Sequence, residues 1–437
     1  MGRPADTAGN AKADDALPLA PAIGFSMAGQ VVYLLSQLAI LASLTRLRGP
    51  AAVGEFGLAI ALCTPFFMFV SMGGKMSQSS DVKQRYSFAE YGALVAVLAC
   101  LGVIGSMAAG FVFAKTGHAL LIVGIIALTK AAESVSNLAY GAFQQAGRPD
   151  KISNSLMLRG ALTVPLFIAL LLAGVAVGVA FLAQFVVWTS VALARDYPSA
   201  SRIAAGKVVR PSGDWRRIAI LARETAPLGM SFALGALLNS LPRLFVERMI
   251  GLSAVGVLTI VTYFQQAGSI MISAISQPLI NRFARLRYSG DVRALRRTQL
   301  ALLVLVGGCS IAGIIFVALA GEWLLWLVFG PELASASDLL LLIALALSAK
   351  LLSVVPQSLL HADRRYTAFL YREVASVVIC FILLALLVPP LGLMGAGFAI
   401  LGSAIFRLVV ITLAAAMGSK SRAANVGSSV ASETTAL

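Results

Sequence analysis

Residues 118–144 read HALLIVGIIALTKAAESVSNLAYGAFQ. The run is long and apolar enough to cross a bilayer as a helix. It nevertheless carries Lys130, Glu133, Asn137, Tyr140 and Gln144, at steps of three, four, three and four. On a helix these five side chains project from one face. An ionisable group at bilayer depth is costly and persists mainly where it meets a polar interior or a partner. The stretch therefore predicts a membrane helix with one wet, charged side, which is the kind of element from which carriers are built.

The rest of the chain repeats the theme. Of 437 residues, 59% are hydrophobic and only 12% charged, against about half and a quarter in soluble domains. Apolar runs predict twelve helices, near 20–45, 51–73, 89–114, 118–144, 158–174, 176–195, 219–248, 254–281, 298–320, 336–361, 368–388 and 393–416. The fold class expected is an all-α polytopic membrane protein with two six-helix lobes. Its parts are an N-lobe at 20–195, a basic linker at 196–217 and a C-lobe at 218–416. Polar tails at 1–19 and 417–437 are expected to be disordered and cytoplasmic.

The net charge of +15 invites a nucleic-acid reading, but its distribution argues for a membrane. The basic residues lie in short loops between apolar runs. One set of loops holds Lys75, Lys83, Arg85, Arg148, Lys151, Arg159, Arg195 to Arg223, Arg282 to Arg297, and Arg364, Arg365 and Arg372. The opposite set holds little beyond Arg46, Arg48, Lys115 and Arg248. Positive loops stay on the cytoplasmic side, so both termini are expected there. The four cysteines lie apart inside apolar runs, and His118 and His361 stand alone. No disulfide framework or metal site is predicted.

A short repeat is also present. Arg46-Leu-Arg-Gly-Pro-Ala-Ala-Val-Gly54 ends the first helix and starts the second; Arg248-Met-Ile-Gly-Leu-Ser-Ala-Val-Gly256 does the same for the seventh and eighth. Six helices separate the copies, so the halves would be parallel repeats about an axis along the membrane normal.

Polar stripes mark the candidate site. The first helix carries Ser26, Gln30, Tyr33 and Gln37, and the eighth carries Gln266 among threonines and serines. Ser and Thr often join membrane helices to one another, but a buried amide has four hydrogen-bonding sites to satisfy. Gln30, Gln37, Gln266 and Asn137 therefore point toward a cavity wall. Lys130 and Glu133 are one turn apart, so they pair with each other or face a substrate. Lys350 in the tenth helix and Arg407 in the twelfth have no acid nearby on their own helices, and Asn239, Arg243 and Glu247 share a broad face of the seventh. Cations outnumber acids in this interior. A low dielectric strengthens Coulomb attraction, so the substrate should be an anion. Arginine suits phosphate through its planar fork, and lysine acts as a point charge. Pro65, Pro165, Pro242, Pro278 and Pro356 interrupt helices and permit kinks.

Four segments carry a family resemblance. They are Arg46-Leu-Arg-Gly-Pro-Ala-Ala-Val-Gly-Glu-Phe-Gly57, Tyr140-Gly-Ala-Phe-Gln-Gln-Ala-Gly-Arg148, Trp326-Leu-Val-Phe-Gly-Pro-Glu-Leu-Ala-Ser-Ala336 and Pro390-Leu-Gly-Leu-Met-Gly-Ala-Gly397. Over roughly residues 20–416 the chain resembles the Wzx-type polysaccharide flippases of the MOP exporter superfamily. The resemblance implies a V-shaped pair of lobes around a cationic cavity in a bacterial inner membrane. The implied cargo is an undecaprenyl-diphosphate-linked oligosaccharide, moved from the cytoplasmic to the periplasmic leaflet. It also implies alternating access driven by H+ or Na+, no cofactor, and pathway partners such as a polymerase and chain-length proteins. In that frame Lys130, Arg243, Lys350, Arg407, Gln30, Gln37, Asn137 and Gln266 would contact cargo, and Glu133 and Glu247 would carry the coupling ion. Lipid II flippases usually have fourteen helices, two more than this chain offers. Multidrug members tend to place acids in the first lobe, whereas the first helix here has none between Pro21 and Leu44. A drug or metabolite exporter of the same superfamily is the first alternative. A membrane glycan polymerase or ligase is the second. It would need a large external loop with catalytic residues, and the longest expected here runs only from about Gly321 to Asp338. No nucleophile–base pair or phosphate loop is apparent, so no covalent chemistry is predicted.

Overall fold

The computed structural model describes residues 19–71, 78, 85–268, 292–357 and 366–434. The two tails apart from 417–434, the second half of the eighth predicted helix, His361 and several basic loop residues lie outside them. The described chain is helical, with no strand. The helices are α1 (Leu19–Arg48), α2 (Pro50–Val70), α3 (Phe88–Phe113), α4 (Gly117–Gln145), α5 (Pro149–Leu172), α6 (Val177–Ala205) and α7 (Trp215–Met249). They continue with α8 (252–268), α9 (Val292–Phe329) and α10 (Ser337–Leu352). The stretch Tyr366–Thr434 is two helices meeting at Gly392, whose φ of 57° and ψ of −133° no helix accommodates. They are α11 (366–391) and α12 (393–434). Ten segments of the described chain are long and apolar enough to cross a membrane. One of them contains the Gly392 break, and α8 is described only over residues 252–268, too short to count as a span, which reconciles ten spans with twelve predicted helices.

Local chemistry sets the helix ends. Ser87 and Glu90 form a capping box at the start of α3, Thr116 accepts from the Ala119 amide at 3.1 Å, and Asp214 accepts from the Arg216 amide at 2.9 Å. Such caps satisfy amide groups that a helix cannot pair internally. The turn between α5 and α6 closes on Gly174 at φ 78°. There the Gly174 and Val175 amides donate back to Leu171 and Leu170, a pattern that glycine allows because it has no Cβ. Arg48 then donates to the Leu171 and Val175 carbonyls at 3.3 and 2.9 Å, which ties the end of α1 to this turn.

The chain divides into two compact units, Met1–Thr259 and Ile260–Leu437. In the first unit α1 packs on α5, α3 on α4, and α2 on both α4 and α7. The division thus falls beyond the basic connector, because α7 is held by α2. Residues 197–205 of the expected linker are helical. Its remainder is pinned by the Val209 amide donating to Ser201 at 2.7 Å, Tyr197 donating to the Val209 carbonyl at 2.9 Å, and the Ser212 amide donating to Ala89 at 3.1 Å.

The two copies of the repeat meet inside this first unit. A methyl group on Gly54 would lie 1.9 Å from the Leu252 carbonyl oxygen, and one on Gly256 would lie 1.9 Å from the Pro50 carbonyl oxygen. Pro50 and Gly54 correspond to Leu252 and Gly256 in the repeat, so the contact is reciprocal, like an isologous interface. Gly57 and Thr259 are also equivalent, and a methyl on Gly57 would lie 2.1 Å from the Thr259 hydroxyl. The small residues of the repeat therefore let α2 and α8 approach at backbone distance.

In the second unit α9 and the α11–α12 stretch pack against α10. Leu340, Ile343 and Ala346 of α10 are buried, with Leu384 of α11 and Ala396 and Ala399 of α12.

Candidate functional site

Among the described residues, three groups of charged and polar side chains lie within the spans, two in the first unit and one in the second. The first is the α4 stripe. Lys130 donates to Glu133 at 2.7 Å, and each side chain is 24% exposed. Asn137 is half-buried one turn on, while Tyr140 is buried and Gln144 exposed. The stripe thus splits, its first three members staying accessible and Tyr140 turning into the protein. On α1, Gln30, Tyr33 and Gln37 are half-buried. On α7, Arg243 is half-buried and Glu247 is buried. Glu247 meets Lys115 at 3.1 Å, and its second oxygen is buried with no hydrogen-bond partner. His118, which stands alone in the sequence, lies 2.9 Å from Glu55.

The second group was hidden in the sequence. Arg159 is 1% exposed rather than a loop cation, because α5 begins at Pro149, nine residues before its predicted apolar run. Its guanidinium donates to the Ser136 hydroxyl and to Asp196 at 3.3 Å, and it lies 5.0 Å from the centre of the Trp188 ring. Asp196 also accepts from Ser155 at 2.7 Å, and Ser155 shares a 2.8 Å hydrogen bond with Tyr140. A widened turn over Ala192–Asp196 delivers the carboxylate to this point, as π-type turns often do where a side chain must be re-aimed. The face Gln184, Trp188, Ala192, Asp196 steps by four, and all four are buried. That period was the available signal. Removing one member of a buried pair leaves the other charge uncompensated, at about 3–5 kcal/mol. Asp196→Asn should therefore lower the thermal unfolding temperature of the purified protein sharply, and an unchanged melt would contradict a structural role for the pair.

The third group lies in the second unit and gathers two of the predicted cations. Arg407 of α12 donates to Glu373 of α11 at 2.7 Å, and the same carboxylate oxygen accepts from Arg372. Lys350 of α10 lies within Coulomb range of both Arg407 and Glu373. The expectation that Arg407 lacks a nearby acid held only along its own helix, since the acid comes from α11. Arg372 was read as a loop cation and is instead 6% exposed within a span. Lys350 occupies the last turn of α10, where the helix dipole favours a cation. The Glu373 side chain is 7% exposed and Arg407 24%. The second oxygen of Glu373 is buried and has no hydrogen-bond partner. Glu373, Ser376, Cys380 and Leu384 step by three, four and four along the buried face of α11, a period that placed Glu373 inside. Gln266, the remaining predicted contact, is exposed on α8.

The described charges of this third group come to three cations and one carboxylate. Within a low-dielectric span such a surplus attracts anions and repels organic cations. The two guanidiniums offer planar forks of the kind that bind phosphate in pairs.

No family model matches the sequence. The chain is 24% identical over 392 residues to the capsular polysaccharide biosynthesis protein CapF of Staphylococcus aureus, covering 88% of this chain and 96% of that protein. Among solved structures, the lipid II flippase MurJ in an inward closed conformation aligns with a TM-score of 0.72 at 11% identity, over 90% of this chain and 87% of that one. The MATE transporter VcmN of Vibrio cholerae aligns with a TM-score of 0.60 at 15% identity, over 92% and 96%. The structural likenesses show the fold. The chain thus has the all-helical fold of the MATE transporters and of the flippase MurJ, with ten described segments long and apolar enough to cross a membrane, and its sequence is similar to that of a capsular polysaccharide biosynthesis protein.

Proposed function

We propose that the protein moves an undecaprenyl-diphosphate-linked oligosaccharide across the membrane by ion-coupled alternating access, with both termini in the cytoplasm. One observation carries the reading of the cargo. Arg372 and Arg407 both donate to one oxygen of Glu373, and Lys350 lies within Coulomb range of Arg407 and Glu373. A lipid-linked diphosphate would bring negative charge to these cations, and its prenyl chain can stay in the bilayer. The relative named for capsular polysaccharide biosynthesis supports a glycan as the other end of the cargo. The half-buried amides Gln30, Gln37 and Asn137 suit sugar hydroxyls, which both donate and accept. Arg243 and Lys130 add positive charge in the first unit, and Glu133 and Glu247 are the acids proposed to exchange the coupling ion there.

Lys350→Ala and Arg407→Ala are expected to cut surface polysaccharide in cells while the amount of protein in the membrane stays constant. Losing one charge-assisted hydrogen bond is worth about 1.5–3 kcal/mol, or about tenfold to a hundredfold in affinity. Wild-type surface polysaccharide in both single variants and in the double would count against the cationic site. Efflux of cationic dyes separates the exporter alternative. Strong efflux that leaves surface polysaccharide independent of the protein would favour it.

A further inference from the structure

The third group contains a feature that cation surplus alone does not explain. A site built only to bind phosphate would leave its guanidiniums open. Here one oxygen of Glu373 lies between Arg372 and Arg407, and its other oxygen is buried with nothing to accept from. A carboxylate carries four lone-pair sites and is costly to bury half-satisfied. The arrangement is therefore a strong attraction on one side and an unfulfilled acceptor on the other.

We propose that Glu373 is a resident counter-ion. It occupies the phosphate position on Arg372 and Arg407 when cargo is absent, gives way when cargo binds, and returns to displace the cargo after translocation. The inference rests on the reading of this group as the anion site. Its physical logic is that of a competing state. A site whose own carboxylate fills it is open only part of the time, so its apparent affinity falls by the open fraction. In exchange, the Arg407 guanidinium keeps an anion within the span when cargo is absent, and removing it would be expensive. Release of a doubly charged headgroup from a site of three cations would otherwise be slow, because tight binding is expressed mainly in the rate of departure. A tethered carboxylate supplies a high local concentration of competitor at the moment of exit. Glu373 on this account is a positioning residue that acts through the two arginines and does not itself touch the cargo.

The consequence is an opposition between affinity and turnover that a merely structural ion pair would not produce. Binding of farnesyl diphosphate to the purified full-length protein, with farnesol as the uncharged control, measures the first. Flipping of a lipid-linked oligosaccharide in proteoliposomes measures the second. Glu373→Gln is expected to bind farnesyl diphosphate about tenfold more tightly than the wild type, the size of one lost charge competitor, and to flip more slowly. Glu373→Asp, which keeps the charge but shortens its reach by one methylene, should tighten binding to a lesser degree and serves if the glutamine variant does not fold. Arg407→Gln should weaken binding. If Arg407→Gln weakens binding while Glu373→Gln and Glu373→Asp bind no more tightly than the wild type, the counter-ion role is overturned and the anion site stands. If the wild type does not distinguish farnesyl diphosphate from farnesol, the anion site itself fails, and the counter-ion role fails with it.

Discussion

Replacing Gly256 with alanine is expected to abolish transport and to destabilise the protein. The new methyl group would sit 1.9 Å from the carbonyl oxygen of Pro50, far inside van der Waals contact. The obstructing atom is backbone, so no rotamer change relieves the clash, and α8 must move away from α2. Overpacking of this kind typically costs about 1–3 kcal/mol in a well-packed interior, and a backbone obstacle belongs at the upper end. Gly54→Ala should behave alike, because its methyl would meet the Leu252 carbonyl at the same 1.9 Å. The equivalence is the informative part. Two unrelated glycines would have unrelated effects, whereas two equivalent positions of a repeat that packs on itself should match. Gly307, whose added methyl would meet nothing within 4 Å, is the control, and Gly307→Ala should retain normal yield, melting temperature and transport. Size-exclusion profile, thermal melting and surface polysaccharide in the three variants check this. Wild-type behaviour in Gly54→Ala and Gly256→Ala would mean that α2 and α8 are not this close.

Arg407→Glu is expected to eliminate transport more completely than Arg407→Ala. The alanine variant leaves Lys350 and Arg372 opposite one carboxylate, a surplus of one cation. The glutamate variant leaves two cations and two carboxylates, and so no surplus. It also sets a second acid where Glu373 now accepts a 2.7 Å hydrogen bond, and like charges at such range repel strongly in a low dielectric. The exchange Arg407→Glu with Glu373→Arg restores the surplus of two and the opposing pair. Partial recovery of surface polysaccharide in the exchanged protein, at equal membrane abundance, is the expected result. Near-normal output from Arg407→Glu alone would remove Arg407 from cargo handling.

The helices and much of their order could be read in the sequence because a membrane span announces itself by length and apolarity. The charged clusters were less legible because their members come from different helices. Lys350 and Arg407 were identifiable as misplaced cations, but the carboxylate that Arg407 meets is on α11, adjacent to basic residues that made Arg372 look like part of a loop. Arg159 and Asp196 were obscured in the same way. Hydropathy ends a span where polar residues begin, whereas α5 and α6 continue as helices well past that point. Periodicity retained the information that hydropathy discarded, since Glu373 and Asp196 each continue a buried face at helical spacing. The repeat was visible as matching letters. That its two copies pack on each other, glycine against carbonyl, is a fact of tertiary structure that no single segment encodes.

The most direct test of the cationic site is transport of a short, fluorescent polyprenyl-diphosphate oligosaccharide in proteoliposomes, followed by its loss of accessibility to a membrane-impermeant quencher. The same oligosaccharide on an uncharged polyprenyl ether is the comparison. Protein-dependent movement of the diphosphate, little movement of the ether, and loss of the former in Lys350→Ala combined with Arg407→Ala are predicted. Equal movement of the charged and uncharged lipids, or an undiminished rate in the double variant, would contradict the claim that this membrane interior recognises its cargo by negative charge.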